Sequence, residues 1–285
     1  MFDTVVIGKG PAGISAAIYL KRAGLEVLVI GKDMGSLQKA GLIENYYGFA
    51  QPIRAEELFR SGLKQAENLG VPIIDDEVTG FDFGEAFTVK TLSQSYQAKT
   101  LLIACGKKRK SVSIEGVQRL EGRGVSYCSV CDGFFYKGKK VGVIGDGKFA
   151  LSEAKYLKNF VKEVTIFTDT EQPLFPLEEG IPVVKDKILE VYGSERVEGI
   201  RTTVADFSLD GVFIALGSAG ADDFALKLGI LTDKGSIAVD ENYMTNVEGV
   251  FAAGDCIGGF AQVAKAISDG AHAATAITRY LRKKK

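Results

Sequence analysis

Thr4-Val5-Val6-Ile7-Gly8-Lys9-Gly10-Pro11-Ala12-Gly13 decides how this chain folds. The first four residues read as a buried strand, and they run straight into the pattern G-x-G-x-x-G. The spacing predicts a strand over 3–8 and a helix over 13–23, with Ile14, Ala17, Ile18 and Leu20 as its apolar positions. Val27 to Ile30 is a second apolar run, which completes a βαβ unit. The three glycines differ in what they permit. Gly8 allows the sharp turn, Gly10 lets backbone approach a pyrophosphate, and Gly13 lets the helix pack close to the strand. The helix start offers its N–H groups and its positive dipole end to phosphates. The acid that usually ends the second strand and holds a ribose is missing. Gly31-Lys32-Asp33 stands there, with Asp33 as the candidate substitute.

Working outward, residues 54–69 are periodic through Leu58, Leu63, Ala66 and Leu69 and predict a helix, followed by strands near 86–90 and 100–104. The pattern then restarts: a strand from Lys140 to Gly145, a helix from Lys148 to Phe160, a strand from Val164 to Phe167. After a strand from Phe213 to Gly217, the run Gly249 to Asp255 reads as a strand ending in glycine and acid. A long helix closes the chain from Gln262 to Leu281. Two βαβ units, each opened by a glycine-rich turn, predict two dinucleotide-type domains. The late Gly-Asp segment predicts that the C-terminus completes the first domain, with the second inserted into it.

Composition agrees. A chain of 285 residues exceeds one typical core and predicts two domains. A net charge of -1 gives no global attraction to nucleic acid or an anionic membrane. The basic run Arg282 to Lys285 reads as a frayed, solvated tail. No apolar segment approaches the ~20 residues needed to span a bilayer, and the N-terminus lacks the features of a signal peptide. The expected location is therefore cytoplasmic, where four cysteines do not make a structural disulfide framework.

The informative cysteines are the close pair in Cys128-Ser129-Val130-Cys131-Asp132. Two intervening residues let the sulfurs close a small ring, and a helix N-terminus would lower one thiol pKa. A zinc site is the rival, but it needs four ligands; His272 is the sole histidine, and Cys105 and Cys256 stand apart. Asp132 is placed to move a proton to or from a leaving thiolate, with helix capping as its alternative role. Cys105 and Cys256 read as buried small hydrophobes, and His272 as structural.

At these residues the sequence resembles the low-molecular-weight flavoprotein thioredoxin reductases. The resemblance covers nearly the whole chain. It rests on Gly8 to Gly13, Ile43 to Phe49, Leu102 to Gly106, Gly124 to Tyr136, Gly249 to Asp255 and Gln262 to Ala273. It implies an α/β fold of two Rossmann-like three-layer domains of FAD/NAD(P)-binding type. Residues 1–108 and 218–285 would form the FAD domain, with 109–217 inserted and carrying the redox pair. It implies FAD held by Gly8, Gly10, Pro11, Ala12, Gly13, Gly31, Lys32, Asn45, Ala104 and Gly106. Gly254 and Asp255 would meet the ribityl and phosphate part, and Gln262, Val263 and Ala264 would lie along the isoalloxazine. It also implies a homodimer, thioredoxin as substrate, and an inserted domain that rotates to present Cys128 and Cys131 alternately to flavin and thioredoxin.

The second domain departs from the family pattern. An NADPH binder carries G-x-G-x-x-A, a His-Arg-Arg run and a further arginine to grip the 2′-phosphate. Here the turn is Gly145-Asp146-Gly147-Lys148-Phe149-Ala150, and Thr168-Asp169-Thr170-Glu171-Gln172 follows the next strand. Asp146 and Phe149 crowd the turn, and two acids replace cations, a repulsion of several kcal/mol when partly buried. In this the chain resembles the ferredoxin-dependent flavin thioredoxin reductases, which implies reduced ferredoxin as electron donor. Lys107, Lys108, Arg109 and Lys110, or Arg282 to Lys285, would form its docking patch. Two alternatives stay open: an NADPH-dependent reductase with a divergent site, and a flavin-bearing redox sensor without turnover.

Overall fold

The computed structural model describes residues 1–106, 113–127, 129–216 and 220–284, without the side chains of Lys39, Val130, Cys131 and Asp222. The chain divides into two compact units, Met1–Lys108 with Gly220–Lys285, and Arg109–Ala219.

β1 (Phe2–Ile7) leads into α1 (Pro11–Arg22) and on to β2 (Val27–Ile30). The two strands are parallel, with Thr4 opposite Val27 and Ile7 opposite Ile30. α1 begins two residues before the apolar periodicity because Pro11 suits a first helical position, where its missing N–H has no partner to lose. α2 (Ala55–Asn68) follows, then Ile73–Ile74, which pairs parallel to β2. Ser95–Ile103 lies on the other side of β1, also parallel. The predicted strand near 86–90 is Phe87–Thr91, and it forms a hairpin with Val78–Asp82, which the sequence does not announce. Residues 78–82 alternate between buried and partly covered, a weak signal beside the continuous apolar run of β1.

In the second unit α3 (Ser129–Asp132) precedes the strand Lys140–Ile144, α4 (Lys148–Lys158) and the strand Glu163–Phe167. Its parallel sheet runs in the order Val183–Val184, Glu163–Phe167, Lys140–Ile144, Gly211–Ile214, Val125–Ser126. Gly217, placed at the end of a strand by the sequence, lies outside the described residues. Ile188–Tyr192, Gly199–Thr202 and Asp206–Ser208 form a separate antiparallel sheet.

The chain then returns to the first unit. α5 (Ala221–Leu228) is followed by Val250–Ala252, which pairs parallel to Leu101–Ile103 and so completes the first sheet. α6 (Val263–Lys283) packs on α1 through small residues, Ala12, Ala16 and Ala17 against Ala266, Ala273 and Ala274. Gly270 makes this approach possible: a Cβ there would sit 2.1 Å from the Ala12 carbonyl oxygen. In Gly270→Ala the backbone clash outweighs the about 1 kcal/mol that alanine gains in a helix. A net loss of about 2 kcal/mol is expected, measured as a lower thermal midpoint.

The frayed tail is corrected. α6 continues to Lys283, and Lys284 binds Glu248 at 2.8 Å and lies over the Tyr280 ring. The hydrogen bonds with Glu248 and Tyr280 push the Lys284 ammonium pKa up. Lys285 lies outside the described residues. Among the described residues no helix is long and apolar enough to cross a membrane.

Candidate functional site

The C-terminal ends of the parallel strands in the first unit gather most of the residues expected around a dinucleotide. Gly8 has φ +114°, and a Cβ there would lie 2.3 Å from the Ala104 carbonyl oxygen. The turn after β1 is thus pressed against the residue that follows Ile103, bringing Gly8, Ala104 and Cys105 together. Gly13 faces the Gly8 carbonyl in the same close way, whereas Gly10 has nothing within 4 Å of its open side. At the far end of the sheet Gly254, with φ +87°, packs on Ala12, so the turn at Gly254 and Asp255 stands beside the start of α1. Gly106 also has positive φ, at +69°.

The Gly254 turn is held from beneath. Asp269, buried on α6, accepts from the Gly254 N–H at 3.1 Å and from Tyr243 at 3.2 Å, and pairs with Lys265 at 2.7 Å. Lys265 also donates to the carbonyls of Gly254 and Gly258, at 2.9 and 2.6 Å. Sequence reasoning missed Lys265 and Asp269; their i, i+4 spacing was the available signal. Asn45 and Gln262, 217 residues apart, are joined by a 3.0 Å hydrogen bond from Nδ2 to Oε1. Val263, at the start of α6, lines a cleft of about 390 Å³ with Lys9, Gly10, Pro11 and Tyr46, and Ala264 beside it is exposed.

One observation tests whether these residues fit FAD. Asp255 Oδ1 is buried and, among the described residues, has no hydrogen-bond partner. A buried carboxylate oxygen without a donor is costly, and a hydroxyl of a ribityl chain supplies the missing one. The open side of Gly10 and the helix start at Pro11 suit a pyrophosphate. The residues fit the cofactor. Asp33, the candidate for the ribose, accepts the Gly35 N–H on Oδ1 at 2.6 Å and caps a local turn. Lys32 pairs with Glu77 at 3.0 Å, and Gly31 lies against Lys9.

In the second unit Cys128 and the Cys131 side chain lie outside the described residues; the Cys131 backbone is in α3. Asp132 closes α3. Its side chain makes no cap to the following turn Gly133–Tyr136, and its Oδ2 accepts from Ser126 Oγ at 2.6 Å. Burial, with the charges of Asp132 and Asp210, pushes the Tyr136 phenol above its ordinary pKa. Glu153, buried on α4, accepts from the N–H and the hydroxyl of Ser129, at 3.1 and 2.7 Å, and so anchors the start of α3. Phe134 and Phe135, which follow α3, are each 71% exposed.

The second glycine turn keeps its backbone form, since a Cβ at Gly145 would meet the Ala215 carbonyl at 2.2 Å. Its surroundings differ from the first. The Leu174 N–H donates to the Asp146 carbonyl at 2.8 Å, and Phe149 and Phe175 are buried in the core beneath. The chain after Thr168 therefore folds onto its own turn. Asp169 is not a bare repulsive charge. It pairs with Lys187 at 2.9 Å and accepts from the Ile188 N–H at 2.8 Å.

Cys256 is buried, with its thiol on the carbonyls of Ile103 and Ala253, and burial pushes that thiol up to about 12. It stays protonated and unreactive at neutral pH. Cys105 is only partly buried, a correction to the expectation of a core residue. His272 is exposed and stacks on Tyr243. The Lys107 to Lys110 run lies outside the described residues.

Residues 2–270 match the model of the family described as pyridine nucleotide-disulphide oxidoreductase. The chain belongs to that family. Within it, the thioredoxin reductase of Bacillus subtilis is 33% identical, across 99% of this chain and 95% of that protein. The atypical thioredoxin reductase TRi from Desulfovibrio vulgaris Hildenborough superposes with a TM-score of 0.95 at 36% identity, covering 100% of this chain and 99% of that one. A ferredoxin-flavin thioredoxin reductase from Clostridium acetobutylicum gives 0.79 at 32% identity, covering 99% and 98%. This family member is thus a thioredoxin-disulfide reductase of the FAD-binding, low-molecular-weight kind.

Proposed function

We propose that this reductase draws its electrons from reduced ferredoxin, not NADPH, and delivers them through the Cys128–Cys131 disulfide to thioredoxin. The observation that carries the choice of donor is the Leu174 N–H on the Asp146 carbonyl, which lays the chain over the turn where a second dinucleotide would bind. The likeness to the ferredoxin-flavin thioredoxin reductase from Clostridium acetobutylicum supports the same choice. In this reading residues 1–108 and 218–285 hold FAD, and 109–217 carry the redox pair. The enzyme works as a cytoplasmic homodimer. Gly8, Gly10, Pro11, Ala12, Gly13, Gly254 and Asp255 hold the cofactor's phosphates and ribityl chain. Ala104, Gly106, Asn45, Gln262, Val263 and Ala264 border its ring.

Bound FAD supplies a store that fills one electron at a time and empties by pairs. Each turnover takes two electrons and two protons: the Cys128–Cys131 bond breaks and two thiols form. Asp132, oriented by Ser126, moves one of those protons at the departing sulfur. The dithiol then reduces thioredoxin by exchange, with a mixed disulfide forming and breaking in turn. Exposed Phe134 and Phe135, next to α3, give a protein substrate an apolar surface to rest on. Ferredoxins are acidic, and Arg282 to Lys285, or Lys107 to Lys110, supply opposite charge.

Anaerobic absorbance of the purified yellow protein tests the choice of donor. Reduced ferredoxin is expected to bleach the flavin band promptly, and NADPH to leave it intact over the same time. Prompt bleaching by micromolar NADPH would instead establish the divergent-site reductase. Flavin bleaching that never opens the disulfide would establish the redox sensor.

A further inference from the structure

Gly31 stands where the usual ribose acid would end the β2 run, and the structure shows why no acid stands at that position. A Cβ on Gly31 would lie 2.8 Å from Lys9 N and 2.8 Å from Lys9 Cγ. The Lys9 side chain crosses this position, is buried, and ends in an ion pair with Asp75. A carboxylate built on residue 31 has no room. The acid that could replace it comes from the neighbouring strand end. Ile74 pairs with Ile30, so residues 75–77 emerge beside residues 31–33, on the rim where parallel sheets bind nucleotides.

The three acids of that run are used differently. Asp75 takes Lys9. Asp76 is committed to the hairpin loop, accepting from Ser93 and from the Glu77 N–H. Glu77 gives Oε2 to Lys32 at 3.0 Å, with its side chain 5% exposed, and its Oε1 has no partner. Among the described residues, two buried side-chain oxygens lack a hydrogen bond, Asp255 Oδ1 and Glu77 Oε1. Both are carboxylate oxygens in the first unit, one after Val250–Ala252 and the other after Ile73–Ile74. An unpaired buried acceptor of this kind calls for a donor from a ligand.

We propose that Glu77 is the ribose acid of this chain: Oε1 accepts from the hydroxyls of the adenosine ribose of FAD, while Lys32 fixes Oε2 and balances the charge. The inference rests on the FAD reading of the first unit. It also assigns Lys32 a role. A cation just after the second strand would ordinarily invite a 2′-phosphate, but paired to Glu77 it supports an unmodified diol.

The test is flavin binding by the full-length protein stripped of cofactor, followed by fluorescence with FAD and with FMN, which lacks adenosine. Glu77→Gln keeps the shape, removes the charge and turns one acceptor into a donor. It is expected to weaken FAD about tenfold and to leave FMN unchanged. ADP should displace FAD from the wild type more effectively than 2′-deoxy-ADP does, and the variant should lose that preference. Glu77→Asp, which retains the charge at shorter reach, is expected to fall between, and serves where the glutamine variant folds poorly. Equal FAD affinity in wild type and variant overturns the assignment, as does an equal loss for FMN and FAD, which marks general loosening. A wild-type protein that takes up neither flavin overturns the FAD reading itself, a result distinct from either of these.

Discussion

Cys128→Ser is expected to abolish thioredoxin reduction, with a fall on the order of 10³-fold or more, while the flavin is still bleached by its donor at the wild-type rate. A serine hydroxyl cannot form or accept a disulfide, so no route remains from the cofactor to thioredoxin except a direct one. The size of the effect follows from the roles of the four cysteines. Cys256 cannot substitute: it is fully buried, its thiol is held by the Ile103 and Ala253 carbonyls, and burial pushes its pKa to about 12. Cys256→Ser and Cys105→Ser therefore serve as controls and should keep turnover close to that of the wild type. The measurement pairs a thioredoxin-coupled assay with anaerobic flavin absorbance on the same preparation. Substantial thioredoxin reduction by Cys128→Ser would remove the dithiol from the mechanism, and loss of flavin bleaching would show that the substitution had damaged the first unit.

The parts of the molecule written locally in the sequence were legible there. β1, α1 and β2 follow from an apolar run, a glycine turn and a second apolar run, and each structural boundary falls within two residues of the predicted one. The same holds for the strand Lys140–Ile144 and the start of α4. What the residues alone could not reveal depends on distant partners. The Val78–Asp82 strand is half covered and needs Phe87–Thr91 to be recognised. The 3.0 Å bond between Asn45 and Gln262 spans 217 residues, and those two were singled out by family resemblance and not by spacing. Asp169 read as a repulsive acid because its partner, Lys187, lies 18 residues on, past a further strand. Gly31 looked like a lost binding residue until the Lys9 side chain was seen to occupy its space. In each case the local sequence supplied the residue, and the tertiary fold decided its chemistry.

Asp132→Asn is expected to slow disulfide opening and thioredoxin reduction by on the order of 10²-fold, with flavin reduction by the donor unchanged. Asparagine is nearly the same shape, and its side-chain oxygen can still accept from Ser126 Oγ, which stands 2.6 Å from the carboxylate in the wild type. The variant thus separates geometry from proton transfer: the position is kept and the exchangeable proton is lost. Ser126→Ala does the converse. It keeps the carboxylate and frees its orientation, and should cost less, about tenfold or below. A structural role for Asp132 predicts the opposite order: Asp132→Asn, which keeps the shape and the acceptor, is then mild, and Ser126→Ala, which removes the hydrogen bond, costs more and lowers the thermal midpoint. A second reading comes from Tyr136. Burial and the charges of Asp132 and Asp210 hold its phenol above the ordinary value, so neutralising Asp132 should bring the phenol titration to lower pH, visible in the ultraviolet. Asp132→Asn with wild-type turnover and a shifted Tyr136 titration would leave the carboxylate beside the redox helix with no part in the chemistry. Slow turnover with the same shift is the expected result, and it assigns the proton to Asp132.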